Sequence, residues 1–375
     1  MAIRKVKDVY LIGPVSPYRG GISQYTENLY KALKNITNTT LISFSRQYPK
    51  ILYPGKSDIA EGCEFQKDFN YKLDSNNPFT WLSVYRDIIT NKPDLVLINW
   101  WSIYWQPIFS LMTRGFMKHN LKVAYICHNI YDHDARLWRK NIAKFLLKKG
   151  APSFYIVHSQ QEANKIKSFT DTKTVVKQIP VYNQFPKPDK NILTIINNNH
   201  KALNLLFIGL IRPYKGLDVL LDAYESMSSE ERKKISLSVV GEVWKDKERL
   251  VKRLNLLGVK HDLKFVSDQN MVDYIANSDL VVLPYLSATG SAIIPASYYC
   301  ERPVLATRIG GLVEVVKDGK TGWLVEPNDP YELKNKIISL SVDDCINTHI
   351  HIKKWVKNNS WDKMARIIID ATSDT

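Results

Sequence analysis

Residues 204–222 read LNLLFIGLIRPYKGLDVLL, and the parsing of this stretch decides the fold. Leu205, Leu206, Phe207 and Ile208 form an apolar run that stops at Gly209. Arg212, Pro213, Tyr214 and Lys215 follow as a loop, and Gly216 opens an amphipathic pattern carried by Leu217, Leu220 and Leu221. The order is strand, basic loop, helix. A helix N-terminus carries partial positive charge and unsatisfied N–H groups, so a guanidinium and an ammonium just before it make a seat for a diphosphate. A solvated surface loop is the competing reading of Arg212 and Lys215 taken alone, and their surroundings decide between the two.

The same order opens the chain. Val9 to Gly13 reads as a short strand, residues 14–21 as a loop ending in Gly20 and Gly21, and Ile22, Tyr25, Leu29 and Leu33 mark one face of a helix. Missing side chains at Gly20 and Gly21 let backbone amides approach a ligand, although a Gly-Gly pair also serves as a plain turn. Strands are then expected at 40–44, 94–99, 122–127, 153–158 and 174–180, and helices at 79–91, 104–118, 135–149 and 160–168, with 46–77 less regular. Strands as uniformly apolar as LVLIN and KVAYIC indicate a parallel sheet covered on both faces, hence one doubly wound domain over 1–185.

Residues 186–202, PKPDKNILTIINNNHKA, lack periodicity and read as a linker. A second alternating set follows over 203–355, with strands at 204–209, 235–240, 262–266, 280–284, 303–306 and 322–325, intervening helices, and a helical tail over 345–373. The expected fold class is therefore α/β, with two Rossmann-like doubly wound domains facing across a cleft and ligands at the carboxyl ends of the strands.

Bulk properties agree. A chain of 375 residues exceeds the size of most single cores, and 45% hydrophobic with 24% charged residues is an ordinary globular composition. The net charge of +15 is uneven: residues 1–185 hold 26 Lys and Arg against 13 Asp and Glu, residues 186–375 hold 26 against 24. An acidic partner of the first half is implied. No recognition motif for nucleic acid accompanies that charge, so nucleic acid is not the expected partner. Cys63, Cys127, Cys300 and Cys345 are scattered without a CxxC pair, which suggests neither a disulfide framework nor a zinc site and fits the cytoplasm. The short apolar run in MAIRKVKDVYLIG reads as a first strand and not as a signal peptide. The 19 uncharged residues from Leu95 to Thr113 are long enough for a membrane span, but Asn99, Gln106 and Pro107 divide them into strand and helix.

Three further clusters bear on function. The strand ending at Cys127 delivers His128, Asn129, Tyr131, Asp132, His133 and Asp134 to its carboxyl end, where an imidazole can bond a sugar hydroxyl. No third defined ligand completes a metal site there, and no metal is expected. The segment ARLWRKNIAKFLLKKG carries Arg136, Arg139, Lys140, Lys144, Lys148 and Lys149 beside Trp138 and other apolar residues. Such a helix lies on an anionic membrane surface or, alternatively, packs its apolar side into the core. Ser287, Thr289, Gly290 and Ser291 precede a helix and offer hydroxyls and amides to an anion or a sugar; capping alone also accounts for Ser291.

The series GPVSPYRGGISQYTENLYKAL, ICHNIYDHD, LLFIGLIRPYKGLDVLLDA and SDLVVLPYLSATGSAIIPASYYCERPVLATRIGGLVEVVKDGKTGWLVEPNDPYEL resembles glycosyltransferase family 4, a GT-B family of retaining nucleotide-sugar transferases. The resemblance implies a donor diphosphate held by Arg212 and Lys215 with help from amides at Gly20 and Gly21, and His128 with Asn129 near the sugar. It implies catalysis without a metal or other cofactor, and a C-terminal helix, 356–375, returning to the first domain. Two glutamates common in the family fall on Ala288 and Ala296, so Ser287, Thr289 and the amides of Gly290 and Ser291 are left to hold the sugar, with Glu242 as a substitute ribose contact.

The expected protein is a cytoplasmic transferase on the inner face of the plasma membrane. It would move a sugar from a UDP- or GDP-linked donor to a lipid-linked or cell-surface glycan precursor. The alternative is a GT-B-shaped partner without catalysis, a reading motivated by the two alanines.

Overall fold

Two parallel sheets organise the protein. The structure is a computed structural model that describes residues 6–49, 58–59, 63–102, 104–128, 130, 137–181, 185–187, 202–243, 246–288 and 290–373. The chain divides into two compact units, residues 1–178 with 360–375, and residues 179–359.

The first unit contains β1 (Asp8–Ile12), α1 (Gly21–Lys34), β2 (Asn38–Arg46), β3 (Asn70–Asp74), α2 (Pro78–Asn91), β4 (Leu95–Trp100), α3 (Gln106–Lys118), β5 (Val123–Cys127), α4 (Leu137–Gly150), β6 (Phe154–Val157), α5 (Gln160–Lys167) and β7 (Thr174–Val176). Its strands pair in the order β3-β2-β1-β4-β5-β6-β7, all parallel. Helices cover the sheet, so every residue of β4, β5 and β6 is buried, and these strands read as uninterrupted apolar runs. Strand β3 lies in the stretch that the sequence leaves irregular. It pairs with β2 through register shifts beside Phe44 and presents only Leu73 to the core, so its periodicity is too weak to read.

The second unit contains β8 (Leu203–Ile208), a single 3-10 turn at Pro213–Lys215, α6 (Leu217–Glu225), α7 (Ser229–Lys233), β9 (Ile235–Val240), α8 (Lys247–Leu256), β10 (Lys260–Asp262), α9 (Asp268–Ala276), β11 (Leu280–Leu283), α10 (Ile293–Tyr299), β12 (Val304–Thr307), α11 (Leu312–Val315), β13 (Gly322–Val325), α12 (Pro330–Ser339), α13 (Val342–Asn347) and α14 (His349–Asn358). Its sheet order is β10-β9-β8-β11-β12-β13, again all parallel. In each unit the strand order reverses beside the first strand, between β1 and β4 and between β8 and β11, and ligands of open parallel sheets bind at that reversal.

Both reversals use one device. Asp94, just before β4, accepts the backbone N–H groups of Lys7 and Asp8 at 2.8 and 3.1 Å. Asp279, just before β11, accepts the backbone and side-chain N–H of Asn204 at 2.8 and 3.0 Å. Each carboxylate thereby ties the first strand of its sheet to the fourth.

Three helices make up the helical tail. Ser341 and Asp344 form a capping box on α13, α14 follows, and α15 (Trp361–Ser373) is separated from it at Ser360. Trp355 of α14 packs edge-on against Tyr298 of α10 at 5.0 Å and stays with the second unit. Helix α15 belongs to the first unit: Trp361 meets the ring of Tyr25 on α1 at 4.9 Å, and Lys122 donates to the Thr372 carbonyl at 2.8 Å. The first unit also ends earlier than 185, because Tyr299 of the second unit donates to the Phe185 carbonyl at 2.8 Å. Most of the 186–202 stretch, residues 188–201, lies outside the described residues.

Trp361 is 2% exposed, and its loss would leave a cavity between α15 and α1. Trp361→Ala is expected to cost about 3–5 kcal/mol and to lower the melting temperature of the first unit by roughly 10 °C. An unchanged melting curve in scanning calorimetry would refute the anchoring role of this side chain.

Candidate active site

In the second unit the basic loop after β8 and the loop after β11 are locked together. Gly216 has φ of 68°, and a Cβ there would collide with the Pro284 carbonyl, so only glycine allows α6 to start this close to the end of β11. The Leu286 N–H donates to the Tyr214 carbonyl at 2.7 Å. Thr307, at the end of β12, donates to the Tyr285 carbonyl at 2.6 Å and extends the junction to a third strand. A matching approach holds the other side, where a Cβ on Gly241 would collide with the Gly209 carbonyl and Ile211 N–H donates to the Glu242 carbonyl at 2.9 Å.

This frame positions the cations. Arg212 is extended and caps the 3-10 turn, whose last residue is Lys215. The Lys215 ammonium sits 3.7 Å from the centroid of the Tyr285 ring and 5.4 Å from that of Tyr214. A cation so placed over aromatic faces keeps its charge while losing freedom, a contact worth about 0.5–2 kcal/mol. Tyr285 is the residue that sequence reasoning missed; its signal was an aromatic one position after Pro284 at the carboxyl end of an all-apolar strand.

Of the other expected donor residues, Gly20 and Gly21 belong to the first unit, and Glu242, Ser287, Gly290 and Ser291 to this one. Glu242 is partly buried at the end of β9, and Ser287 and Gly290 follow β11. The Ser291 hydroxyl is already engaged: it accepts from Ile293 N–H at 3.3 Å and pairs with the Tyr285 hydroxyl at 3.3 Å. The bond from Ile293 is a local turn bond and not a helix cap, because the N-cap of α10 is Ala292 and no side chain caps the helix. Ala288 and Ala296 are buried, Ala296 completely. Thr289 lies outside the described residues.

In the first unit Gly20 has φ of 109° and open space where a side chain would be, and no side chain caps α1. His128 follows β5 and is fixed through Asn99, which follows the apolar run of β4. Asn99 donates its amide to the Ile12 carbonyl at 3.2 Å and to Thr26 at 3.3 Å. Its Oδ1 must then accept, and His128 donates Nε2–H to it at 2.7 Å. That leaves Nδ1 of a neutral His128 as the acceptor. Burial and the neighbouring His158 hold its pKa well below the usual imidazole value. Gly13 makes this chain of contacts feasible, because a Cβ there would strike the Asn99 amide and Thr26.

His158 is a second imidazole that the sequence reading did not single out, although it closes FYIVH as His128 closes AYICH. It donates Nδ1–H to the Lys177 carbonyl at 2.9 Å, and its ring lies 5.5 Å from that of His128 and 5.1 Å from Tyr25. Tyr25 meets His128 edge-on at 4.6 Å, so α1, α15 and the ends of β5 and β6 share one aromatic cluster. Asn129, the acidic loop 131–134 and Arg136 lie outside the described residues. Among the described residues no group of three or more His, Cys, Asp and Glu gathers as a metal-ligand set.

Helix α4 presents its cations and part of its apolar surface to solvent. Trp138 and Phe145 are exposed, with Arg139 at 5.2 Å over the Trp138 ring and Lys149 at 5.3 Å over the Phe145 ring. Lys148 is exposed, Lys140 and Lys144 are half-buried, and Ala143 and Leu147 face the core. Among the described residues no helix is long and apolar enough to cross a membrane.

Two parallel-sheet Rossmann-like domains are the components of a GT-B fold, and comparison with known proteins supplies the class, a glycosyltransferase. Residues 189–366 match the family described as "Glycosyl transferases group 1". An uncharacterized glycosyltransferase of Methanocaldococcus jannaschii is 25% identical, with 92% of each chain covered. A D-inositol 3-phosphate glycosyltransferase of Catenulispora acidiphila is 32% identical over 37% of this chain and 35% of its own. Among solved structures, Anabaena HepE in complex with UDP and glucose superposes with a TM-score of 0.72 at 17% identity, covering 99% of this chain and 100% of the other. Sucrose-phosphate synthase of Thermosynechococcus elongatus gives 0.71 at 16% identity, covering 96% and 97%.

Two outcomes test this geometry. Tyr285→Phe keeps the ring under Lys215 and is expected to keep activity, whereas Tyr285→Leu should lower kcat/KM by about tenfold; equal activity of the two would dismiss the ring contact. Burial lowers the His158 pKa from 6.5 to about 4, so on acidification the unfolded chain takes up protons first. Stability should therefore fall as the pH drops from about 6.5 towards 4, with His158 contributing roughly 1–3 kcal/mol, and His158→Gln should make the fall shallower while His128, also lowered by burial, retains its own share. Urea midpoints across that range decide it.

Proposed function

We propose that this glycosyltransferase moves a sugar, with retention of configuration, from a UDP- or GDP-linked donor to a lipid-linked or cell-surface glycan precursor at the cytoplasmic face of the membrane. The observation that carries the donor assignment is Lys215, pinned over Tyr285 at the sheet reversal beside Arg212. The solved HepE complexes with UDP and UDP-glucose support a nucleotide-sugar donor. The acceptor assignment draws on the exposed cationic and aromatic side of α4. A soluble phosphorylated acceptor is the second reading, favoured by the relatives named D-inositol 3-phosphate glycosyltransferase.

In this mechanism Arg212 and Lys215 bind the diphosphate and offset the charge that develops as the bond from the anomeric carbon to the phosphate oxygen breaks. The acceptor oxygen bonds to that carbon on the same face, and its proton passes to the departing diphosphate, so no separate base is assigned. The two cations and the N–H groups at the start of α6 do the work that a divalent ion does in other transferases. His128, neutral and with Nδ1 free to accept, bonds a sugar hydroxyl. Glu242 is the proposed ribose contact, and Ser287 and Gly290 are the proposed sugar contacts.

Arg212→Ala and Lys215→Ala are each expected to lower transfer by about 10²–10³-fold and to weaken calorimetric binding of UDP or GDP, with unchanged circular dichroism. Undiminished turnover in either variant would remove the diphosphate seat. A donor screen with membrane extract as acceptor, against D-inositol 3-phosphate, separates the two acceptor readings.

A further inference from the structure

Helices α2, α3 and α4 pack in sequence over one face of the first sheet. Tyr85 of α2 stacks on Phe116 of α3 at 5.2 Å, and Ser110 of α3 donates to the Leu146 carbonyl of α4 at 2.9 Å. The three helices carry eight Lys and Arg against one Asp, and that Asp87 is paired with Lys72 at 2.9 Å. Their outer side exposes large apolar groups that no other described residue of the unit covers: Phe79 is 81% exposed, Leu111 74% and Phe145 60%. Between α2 and α3 runs a cleft of roughly 760 Å³ with mostly apolar walls, from Pro78 and Pro107 at one end, past Trp81, Leu82 and Leu111, to Arg114 and Lys118 at the other.

We propose that this cleft takes one hydrocarbon chain of an anionic membrane lipid, with the lipid headgroup on Arg114 and Lys118. The volume falls within the roughly 300–1,000 Å³ of ordinary ligand pockets, and the charge is complementary: apolar along the walls, cationic at one end. The direction separates an anchor from a substrate. Helices in this sheet start at the carboxyl ends of the strands, where Gly20, Gly21 and His128 lie, and α3 advances about 1.5 Å per residue. Arg114 and Lys118, in the last turns of α3, are thus at the opposite edge of the sheet from those residues. A headgroup held there is remote from His128, so the chain in the cleft fastens the enzyme and is not the acceptor. This inference rests on the membrane-surface reading of the function and extends it from α4 to the neighbouring helices.

The test uses the full protein and decyl phosphate below its micelle concentration, with inorganic phosphate and decyl maltoside as head-only and neutral-head controls. Decyl phosphate should bind at a single site at least about tenfold more tightly than either control. Leu82→Trp, which fills the cleft from a partly exposed position, should weaken it by about tenfold, and Arg114→Glu with Lys118→Glu should weaken decyl phosphate more than decyl maltoside. Decyl phosphate binding no tighter than phosphate, or unchanged in a folded Leu82→Trp variant, overturns the cleft assignment. Flotation with phosphatidylglycerol-containing and pure phosphatidylcholine vesicles tests the underlying reading separately. Preference for the anionic vesicles that is lost when Lys140, Lys144, Lys148 and Lys149 become Gln supports it, and equal recovery from both vesicles overturns it. Absence of both lipid binding and vesicle binding overturns the proposal in favour of a protein ligand for the cleft.

Discussion

The backbone of the second unit passes so closely at Gly216 that the Pro284 carbonyl occupies the space a side chain would need. Much of the site geometry depends on this approach. It sets the start of α6 against the end of β11, and the Tyr214 carbonyl becomes the acceptor for Leu286 N–H. Tyr285 is thereby carried under Lys215, while Thr307 fixes the Tyr285 carbonyl from β12. A lysine has about 2 kcal/mol of rotamer entropy to lose on binding an anion. Part of that loss is taken during folding, when the ring confines the ammonium, so less remains to oppose the ligand. The same parallel sheet that buries the strands thus preorganises the cation.

The first unit reaches a comparable result with hydrogen bonds in place of ring contacts. Gly13 lacks the Cβ that would exclude Asn99, Asn99 spends both amide hydrogens on Ile12 and Thr26, and its oxygen then dictates the tautomer of His128. The low pKa of that imidazole follows from burial and from His158. A neutral imidazole with a defined acceptor nitrogen suits a hydroxyl group, whereas the cations of the second unit suit a phosphate. Helix α15 contributes to this arrangement through Trp361 on Tyr25, so the final residues of the chain support a site built by its opening strands.

Much of this was legible in the sequence for a physical reason. Parallel strands buried on both faces leave unbroken apolar runs, and glycine is suited to a positive-φ helix start; LNLLFIG, LVLIN and the Gly-Gly turn therefore located β8, β4 and the start of α1. Strand β3 was not legible because it sits at a sheet edge with one buried side chain. The division of the tail near residue 356 came from the family resemblance, because apolar periodicity alone does not report that Trp355 joins Tyr298 while Trp361 joins Tyr25. Within the site, charged residues were visible as motifs, but their positioning partners were not. Tyr285, Asn99 and His158 act through contacts between strands distant in sequence, and only the sheet order brings those contacts together.

The two alanines at 288 and 296 take their meaning from charge. Ala296 is wholly buried in a short helix, where a carboxylate would require a partner to offset its desolvation. With no carboxylate at either position, neither residue adds negative charge to the unit that carries Arg212 and Lys215. The second half of the chain, with 26 basic against 24 acidic residues, offers little long-range attraction of its own. Its affinity for an anion must come from the placement of two cations at one loop. The first half is organised differently, since eight of its basic residues lie on α2, α3 and α4 beside a single paired acid, a distribution that attracts an extended surface and not a point charge. One chain thus distributes its charge differently by domain, with two cations on one loop of the second unit and a broad cationic face on the first.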